Sequence, residues 1–106
     1  LLNGPGNDLV AVTALAAAGC QLILFTTGRG TPLGSPVPVV KVSTNSALAQ
    51  MKSAWIDFDA GRILNDSPGL DSEFYAHILR ICEGTLTASE KMNARDISIL
   101  RDGVTL

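Results

Sequence analysis

An apolar run that ends in a glycine-spaced loop with one arginine constrains this chain more than any other feature. Residues 22–25 are apolar at every position, which is typical of a strand covered on both faces of a parallel sheet. In such sheets, ligands bind just beyond the carboxyl ends of the strands. Gly28 and Gly30 flank Arg29 there, and they let the backbone approach a ligand that the guanidinium can bind through two charged hydrogen bonds. The pattern predicts an anion-binding loop; the alternative is a tight turn whose arginine is solvated or pairs with an aspartate.

Helix and strand signals alternate along the chain, as expected of an α/β domain. We predict a short, mainly parallel sheet flanked by helices in Rossmann-like layers. Asn7 or Asp8 can cap the first helix and Gly19 can end it, whereas Asp71 and Gly84 bound the strongest helical pattern. The predicted helices are 8–18, 46–52 and 71–84, the predicted strands are 21–25, 37–42, 55–58 and 97–99, and a turn is predicted at 102–103.

Length and charge limit the number of domains and the kinds of partner. The 106 residues suit one domain, with residues 1–6 as a connector. Eight basic and ten acidic residues give a net charge of -2, which disfavours nucleic acid and basic membrane-binding helices. No apolar run approaches the roughly 18 residues of a membrane span, and no signal peptide is recognised, so a cytoplasmic protein is expected. Because the first residue is not methionine, we expect a domain of a longer protein.

The cysteines and the histidine give no self-contained chemistry. Cys20 and Cys82 are expected to be buried free thiols, because two cysteines make no disulfide framework. His77 lies beside the apolar stripe of the predicted helix 71–84, which favours a packed or half-exposed ring over a ligand. Zinc-ligand spacing and a serine nucleophile with a base are both missing. Residues 28–30 lack the later glycines and the lysine of nucleotide-binding loops, so nucleotide binding is a weak alternative.

Two further groups of charges have two interpretations each. Asp57, Asp59 and Arg62 lie close together in sequence and predict either a capped, charge-balanced turn or a face for a polyhydroxylated ligand. Lys41 ends an apolar strand, which favours a solvated strand edge over a cation directed at the same site as Arg29.

Four segments resemble the altronate and galactarate dehydratase family in order and spacing. They are Phe-Thr-Thr-Gly-Arg-Gly-Thr-Pro at 25–32, Lys-Val-Ser-Thr-Asn at 41–45, Trp-Ile-Asp-Phe-Asp-Ala-Gly-Arg at 55–62 and Gly-Val-Thr-Leu at 103–106. The resemblance covers nearly the whole chain and implies the carboxyl end of a longer enzyme. It also implies removal of water from a sugar acid to give a 2-keto-3-deoxy acid, with iron(II) or manganese(II) as the metal.

The resemblance implies binding roles for this part of the enzyme. Arg29 suits a carboxylate and the threonines suit hydroxyls, while Asp59 stands where the family often has asparagine. The candidate substrate-binding residues are Thr26, Thr27, Gly28, Arg29, Gly30, Thr31, Asn45, Asp57 and Asp59. The general base and the metal ligands are expected upstream, so the isolated chain is expected to be inactive and to hold no metal. Expected partners are the upstream domains, the sugar acid and a further copy of the chain; the alternatives are a structural or oligomerising domain and a small-anion-binding or nucleotide-binding module.

Overall fold

A three-stranded parallel sheet organises the chain, of which the computed structural model describes residues 2–99. The strands are β1 (Ile23–Thr27), β2 (Val39–Ser43) and β3 (Phe58–Asp59), and β2 lies between the other two. The register places Phe25 opposite Lys41 and Val42 opposite Phe58. The predicted parallel arrangement is confirmed, with the strand bounds displaced toward the carboxyl end.

The helices lie near the predicted places: one precedes β1, one lies between β2 and β3, and the others follow β3. α1 (Asp8–Ala17) begins after Asn7, whose side chain accepts a hydrogen bond from the Val10 amide, and Gly19 follows it with a φ of +102°. The remaining helices are α2 (Ser46–Met51), a 3-10 helix (Ala60–Asn65), α3 (Leu70–Cys82) and α4 (Ala88–Lys91). The short α4 has no counterpart among the predicted elements, although Thr87 and Glu90 form a capping box at its start.

Two apolar clusters cover the two faces of the sheet. On one face, Val12 of α1 belongs to the same buried cluster as Val39 of β2. On the other face, Ile81 of α3 belongs to the same cluster as Val40 and Phe58. Successive residues of β2 therefore point to opposite faces, as the pleat of a strand requires. The helix, sheet, helix layering confirms the predicted α/β class.

β1 is an edge strand, and its burial is lower than the apolar run predicts. Ile23 is buried, whereas Leu24 is 52% exposed. The cluster beneath α3 is built on β2 and β3, and it includes Leu22 at the margin of β1 but not Leu24. The prediction that both faces of this strand are covered is wrong, because α3 packs over β2 and β3 and not over Leu24 of β1.

The predicted closing strand at 97–99 is also wrong. Ile97 and Ile99 are 68% and 90% exposed, so the alternating pattern does not bury one face. The Ser98 amide donates to Thr13 Oγ1 of α1 at 2.9 Å, which places this segment along a helix and not at a sheet edge. The turn predicted at 102–103 lies outside the described residues.

The start of α3 and the two thiols differ from prediction as well. α3 begins at Leu70 after a left-handed Gly69 with no side-chain cap, and Asp71 accepts only from the neighbouring Ser72 amide. Cys82 is exposed and Cys20 is half-buried against the α1 cluster, so the expectation of two buried thiols is wrong. Cys82 lies at the last turn of α3, whose buried side is occupied by Ile81.

Candidate functional site

Residues 26–31 line an open concavity at the carboxyl end of β1. The concavity has a volume of about 680 Å³ and is bounded by Asp8 and residues 24–31. Arg29 is exposed there, and among residues 2–99 no carboxylate forms an ion pair with its guanidinium. The structure thus brings six of the predicted binding residues to one surface, with a cation available to an anionic ligand.

Side-chain donors bind three carbonyl oxygens of this loop. The loop turns at Gly30, where φ is +77°, and the Gly30 amide donates to Thr27 Oγ1 at 2.9 Å. The three carbonyl contacts are Asn45 Nδ2 to Gly28 at 3.2 Å, Lys52 Nζ to Arg29 at 2.8 Å and Lys41 Nζ to Thr31 at 2.7 Å. Because donors on β2 and around α2 meet these oxygens, the backbone of the loop follows one defined path.

Several predicted binding groups are engaged within the fold. Asn45 caps α2 by accepting from the Leu48 amide at 2.8 Å, while its Nδ2 is bound to the loop. Thr27 Oγ1 and the Gly30 amide are hydrogen-bonded to each other. Two exposed side chains that line the concavity, Thr26 at the end of β1 and Arg29 in the loop, form no hydrogen bond within the described part of the chain.

Lys41 is fully buried, at 0% exposure, so the solvated strand edge predicted for it is wrong. It alternates along β2 with Val40 and Val42, which face α3, so its side chain leaves the sheet on the α1 face. Its ammonium meets the Thr31 carbonyl. Lys41 does point toward the Arg29 loop, but it binds the loop backbone and is not an exposed cation.

Burial lowers the pKa of Lys41 from its ordinary value of 10.5, because a desolvated ammonium is disfavoured. The carboxylates of Asp57 and Asp96 act against this shift by raising the pKa. Between the lowered pKa and 10.5, the unfolded chain therefore holds a proton that the folded chain has released.

The pH dependence of stability should carry the signature of this lysine. Below both pKa values the cost of burying the ammonium is constant, and the free energy of unfolding should rise as the pH increases from the lowered pKa toward 10.5. Urea unfolding from neutral pH to pH of about 10 measures the free energy of unfolding of the wild type and of Lys41→Met, and the wild-type value minus the variant value should rise with pH. Lys91→Met, at the exposed last position of α4, controls for the loss of one lysine. If this difference in the free energy of unfolding stays constant or falls as the pH increases, the prediction is wrong.

Asp57, Asp59 and Arg62 make structural contacts away from the concavity. Neither aspartate lines it, and the group corresponds to the capped, charge-balanced turn, with Arg62 paired to a residue of α3. The contacts are Asp57 with the amides of Lys41 at 2.8 Å and Ala88 at 2.7 Å, Asp59 with the Gly61 amide at 2.9 Å, and Arg62 with Glu73 at 2.8 Å.

Two further side chains complete the surroundings of the site and the helix layer. Lys52, which the sequence did not single out, contacts the loop and lies with its Nζ 5.0 Å from the centre of the Trp55 ring. Its position at the end of α2, the helix that Asn45 caps at the start, was the only sequence signal that could have found it. His77 is half-buried, with its ring centre 6.0 Å from that of Phe58, as expected of a packed ring.

Neither a metal site nor a membrane span is found among residues 2–99. No three side chains of His, Cys, Asp or Glu come together there in a way that could hold a metal ion. The helices of the same residues are too short or too polar to cross a bilayer.

The chain belongs to the family described as D-galactarate/altronate dehydratase, C-terminal, whose model matches residues 1–105. It is 50% identical to altronate dehydratase of Escherichia coli (strain K12) and 49% identical to altronate dehydratase of Bacillus subtilis (strain 168), in each case over 100% of this chain and 22% of the relative. It is also 34% identical to galactarate dehydratase (L-threo-forming) of Escherichia coli (strain K12), over 76% of this chain and 16% of the relative. The chain therefore spans about a fifth of the length of the altronate dehydratases that it matches.

Proposed function

We propose that this chain is the carboxyl-terminal part of a hydro-lyase that removes water from a sugar acid of the altronate or galactarate type. The product is a 2-keto-3-deoxy acid. Membership of the family and the names of the relatives support the reaction class. The observation that carries the part played by this chain is the exposed guanidinium of Arg29 in the concavity beyond β1.

Water elimination from a sugar acid requires groups that bind and hold negative charge. Removal of the proton next to the carboxylate leaves an enediolate, and an acid helps the neighbouring hydroxyl to leave. A guanidinium binds a carboxylate through two parallel hydrogen bonds, which fixes the plane of the group as well as its position. Arg29 thus anchors the carboxylate end of the substrate.

The hydroxyl groups of the substrate need partners along the same surface. Thr26 lies exposed on β1 beside the loop, and its hydroxyl can donate or accept. The concavity is open to solvent on its outer side. We infer that the preceding part of the full-length enzyme closes it and supplies the proton-abstracting base.

The described residues do not fit a metal centre, since no three suitable donors meet among them. We therefore assign no step of the reaction to a metal on residues 2–99. We propose that the iron(II) or manganese(II) ion that the family resemblance implies is held by the rest of the enzyme.

The full-length enzyme should convert altronate or galactarate into a dehydrated keto acid. Purified enzyme, supplied with iron(II) or manganese(II) in separate reactions, is incubated with these two acids and with other hexonates and hexarates, and the products are identified by mass spectrometry. Turnover of one of the two named acids well above that of its stereoisomers is expected. Absence of turnover with every acid under both metals would contradict the proposal.

A further inference from the structure

We infer that Lys41 and Lys52 are positioning residues: from behind the loop, they hold the backbone that carries Arg29, and they do so without touching the substrate. The inference rests on the proposed function, because it assigns the loop a ligand. It concerns two lysines that lie outside the surface lining the concavity.

The burial of Lys41 is the first step of the argument. On its face of β2 the neighbouring side chains are Val39, which belongs to a buried apolar cluster, and the buried Ser43. An apolar side chain at position 41 would pack there without desolvating a charge, and buried charges commonly cost more than they return. The carboxylates of Asp57 and Asp96 offset part of this cost, and the hydrogen bond that the ammonium donates among residues 2–99 goes to the Thr31 carbonyl, 2.7 Å from Nζ.

Lys52 makes the matching contact at the other side of the turn. Its Nζ lies 2.8 Å from the Arg29 carbonyl and also lies over the Trp55 ring, 5.0 Å from the ring centre. The two lysines thus bind the carbonyls of Arg29 and Thr31, on either side of Gly30. A β-carbon at Gly30 would lie 3.0 Å from Lys52 Cδ, so the turn rests directly against this side chain.

These contacts fix the direction of the Arg29 side chain. The Arg29 carbonyl is bound by Lys52, which does not line the concavity, whereas Arg29 itself does. Loss of either ammonium frees a carbonyl and lets the turn rotate. The effect of such a loss should be greater on substrate binding than on the chemical step, since neither lysine contacts the reacting atoms.

The test combines amide hydrogen exchange with kinetics in the full-length enzyme. Lys41→Met and Lys52→Met remove one donor each while keeping an apolar side chain of similar length. We expect amide exchange at Arg29, Gly30 and Leu33 to accelerate by about tenfold or more, because these amides donate to Thr27 Oγ1 and Thr31 Oγ1 within the turn that the lost lysine contact holds. Exchange in α3 should stay unchanged as an internal reference. KM for the sugar acid should rise by about tenfold while kcat changes less.

Lys41→Arg keeps a charged donor and should recover most of the exchange protection and of the KM. Lys91→Met, at the exposed last position of α4, should match the wild type in both measurements. If Lys41→Met fails to fold, Lys52→Met carries the same test from a half-buried position.

Unchanged exchange in residues 28–33 of both variants would overturn the inference, whatever the enzyme does. Faster exchange with an unchanged KM would show that the loop does not bind substrate; this result overturns both the positioning role and the assignment of Arg29. A failure of the proposed reaction itself appears separately, as absence of turnover in the wild type.

Discussion

Replacing Gly61 by alanine is expected to lower the free energy of unfolding by about 3 kcal/mol, a large part of the roughly 5–15 kcal/mol that stabilises a domain. Gly61 is buried in the first turn of the 3-10 helix. A β-carbon there would lie 2.5 Å from the Ser46 amide nitrogen and 2.6 Å from Asn45 Cα. Both atoms belong to the backbone at the start of α2, so neither can rotate out of the way as a side chain would.

Thermal unfolding of Gly61→Ala measures this loss. A decrease of about 12 °C or more in Tm corresponds to 3 kcal/mol in a domain of this size. Gly4→Ala is the matched control, because a β-carbon at Gly4 would meet no atom within 4 Å. Equal melting temperatures for the two variants would show that the 3-10 helix and α2 are not in the contact described.

Replacing Arg29 by alanine in the full-length enzyme is expected to reduce kcat/KM by about 100-fold. Truncation removes a charge-assisted contact to the substrate carboxylate, and such contacts contribute roughly 1.5–3 kcal/mol. Arg29→Lys keeps the charge but not the two-pronged geometry, so an intermediate loss is expected. Steady-state kinetics with the sugar acid that the enzyme turns over gives kcat/KM for both variants.

Stability provides the control for this prediction. Arg29 is exposed, and its side chain makes no hydrogen bond within residues 2–99, so Arg29→Ala should unfold at the same temperature as the wild type. Arg80→Ala removes an exposed arginine from α3 and should leave kcat/KM unchanged. Wild-type kinetics in Arg29→Ala would mean that the loop has a structural role only.

The sequence predicted best what depends on local chemistry. Asn7 and Gly19 bound α1 because a capping side chain and a left-handed glycine act within one turn. The parallel pairing of β1 with β2 was predicted from the order strand, loop, strand and helix, which is typical of α/β domains, although a loop and not a helix connects these two strands. α4 could have been found by the same kind of signal, since the spacing of Thr87 and Glu90 is that of a capping box.

Features that depend on distant parts of the chain were not predictable. Lys41 at the end of an apolar run has the same local pattern whether a loop covers it or not, and its burial depends on Thr31. The pattern at 97–99 is that of a strand, yet Ser98 pairs with Thr13, far away in sequence. Leu24 is exposed because α3 lies over other strands, which no pattern within β1 can encode.

The same limit applies to the candidate site. The glycines and threonines around Arg29 predicted a loop at the end of β1, and the structure places them along one concavity. Asp57 and Asp59 were also predicted to bind the substrate, but neither lines the concavity. Their carboxylates accept hydrogen bonds from backbone amides instead. Whether a carboxylate binds a ligand or caps backbone amides depends on which amides lie near it, and the fold determines that.

The three carbonyl contacts behind the Arg29 loop have a thermodynamic consequence for ligand binding. A flexible loop loses conformational entropy when a ligand orders it, and that loss weakens affinity. Here the carbonyls of Gly28, Arg29 and Thr31 are bound by side chains of the chain itself, so the entropy cost of ordering the loop is part of the free energy of folding. A small, polar metabolite that offers little apolar surface can then be held by few contacts, because nearly all of their free energy remains available for affinity.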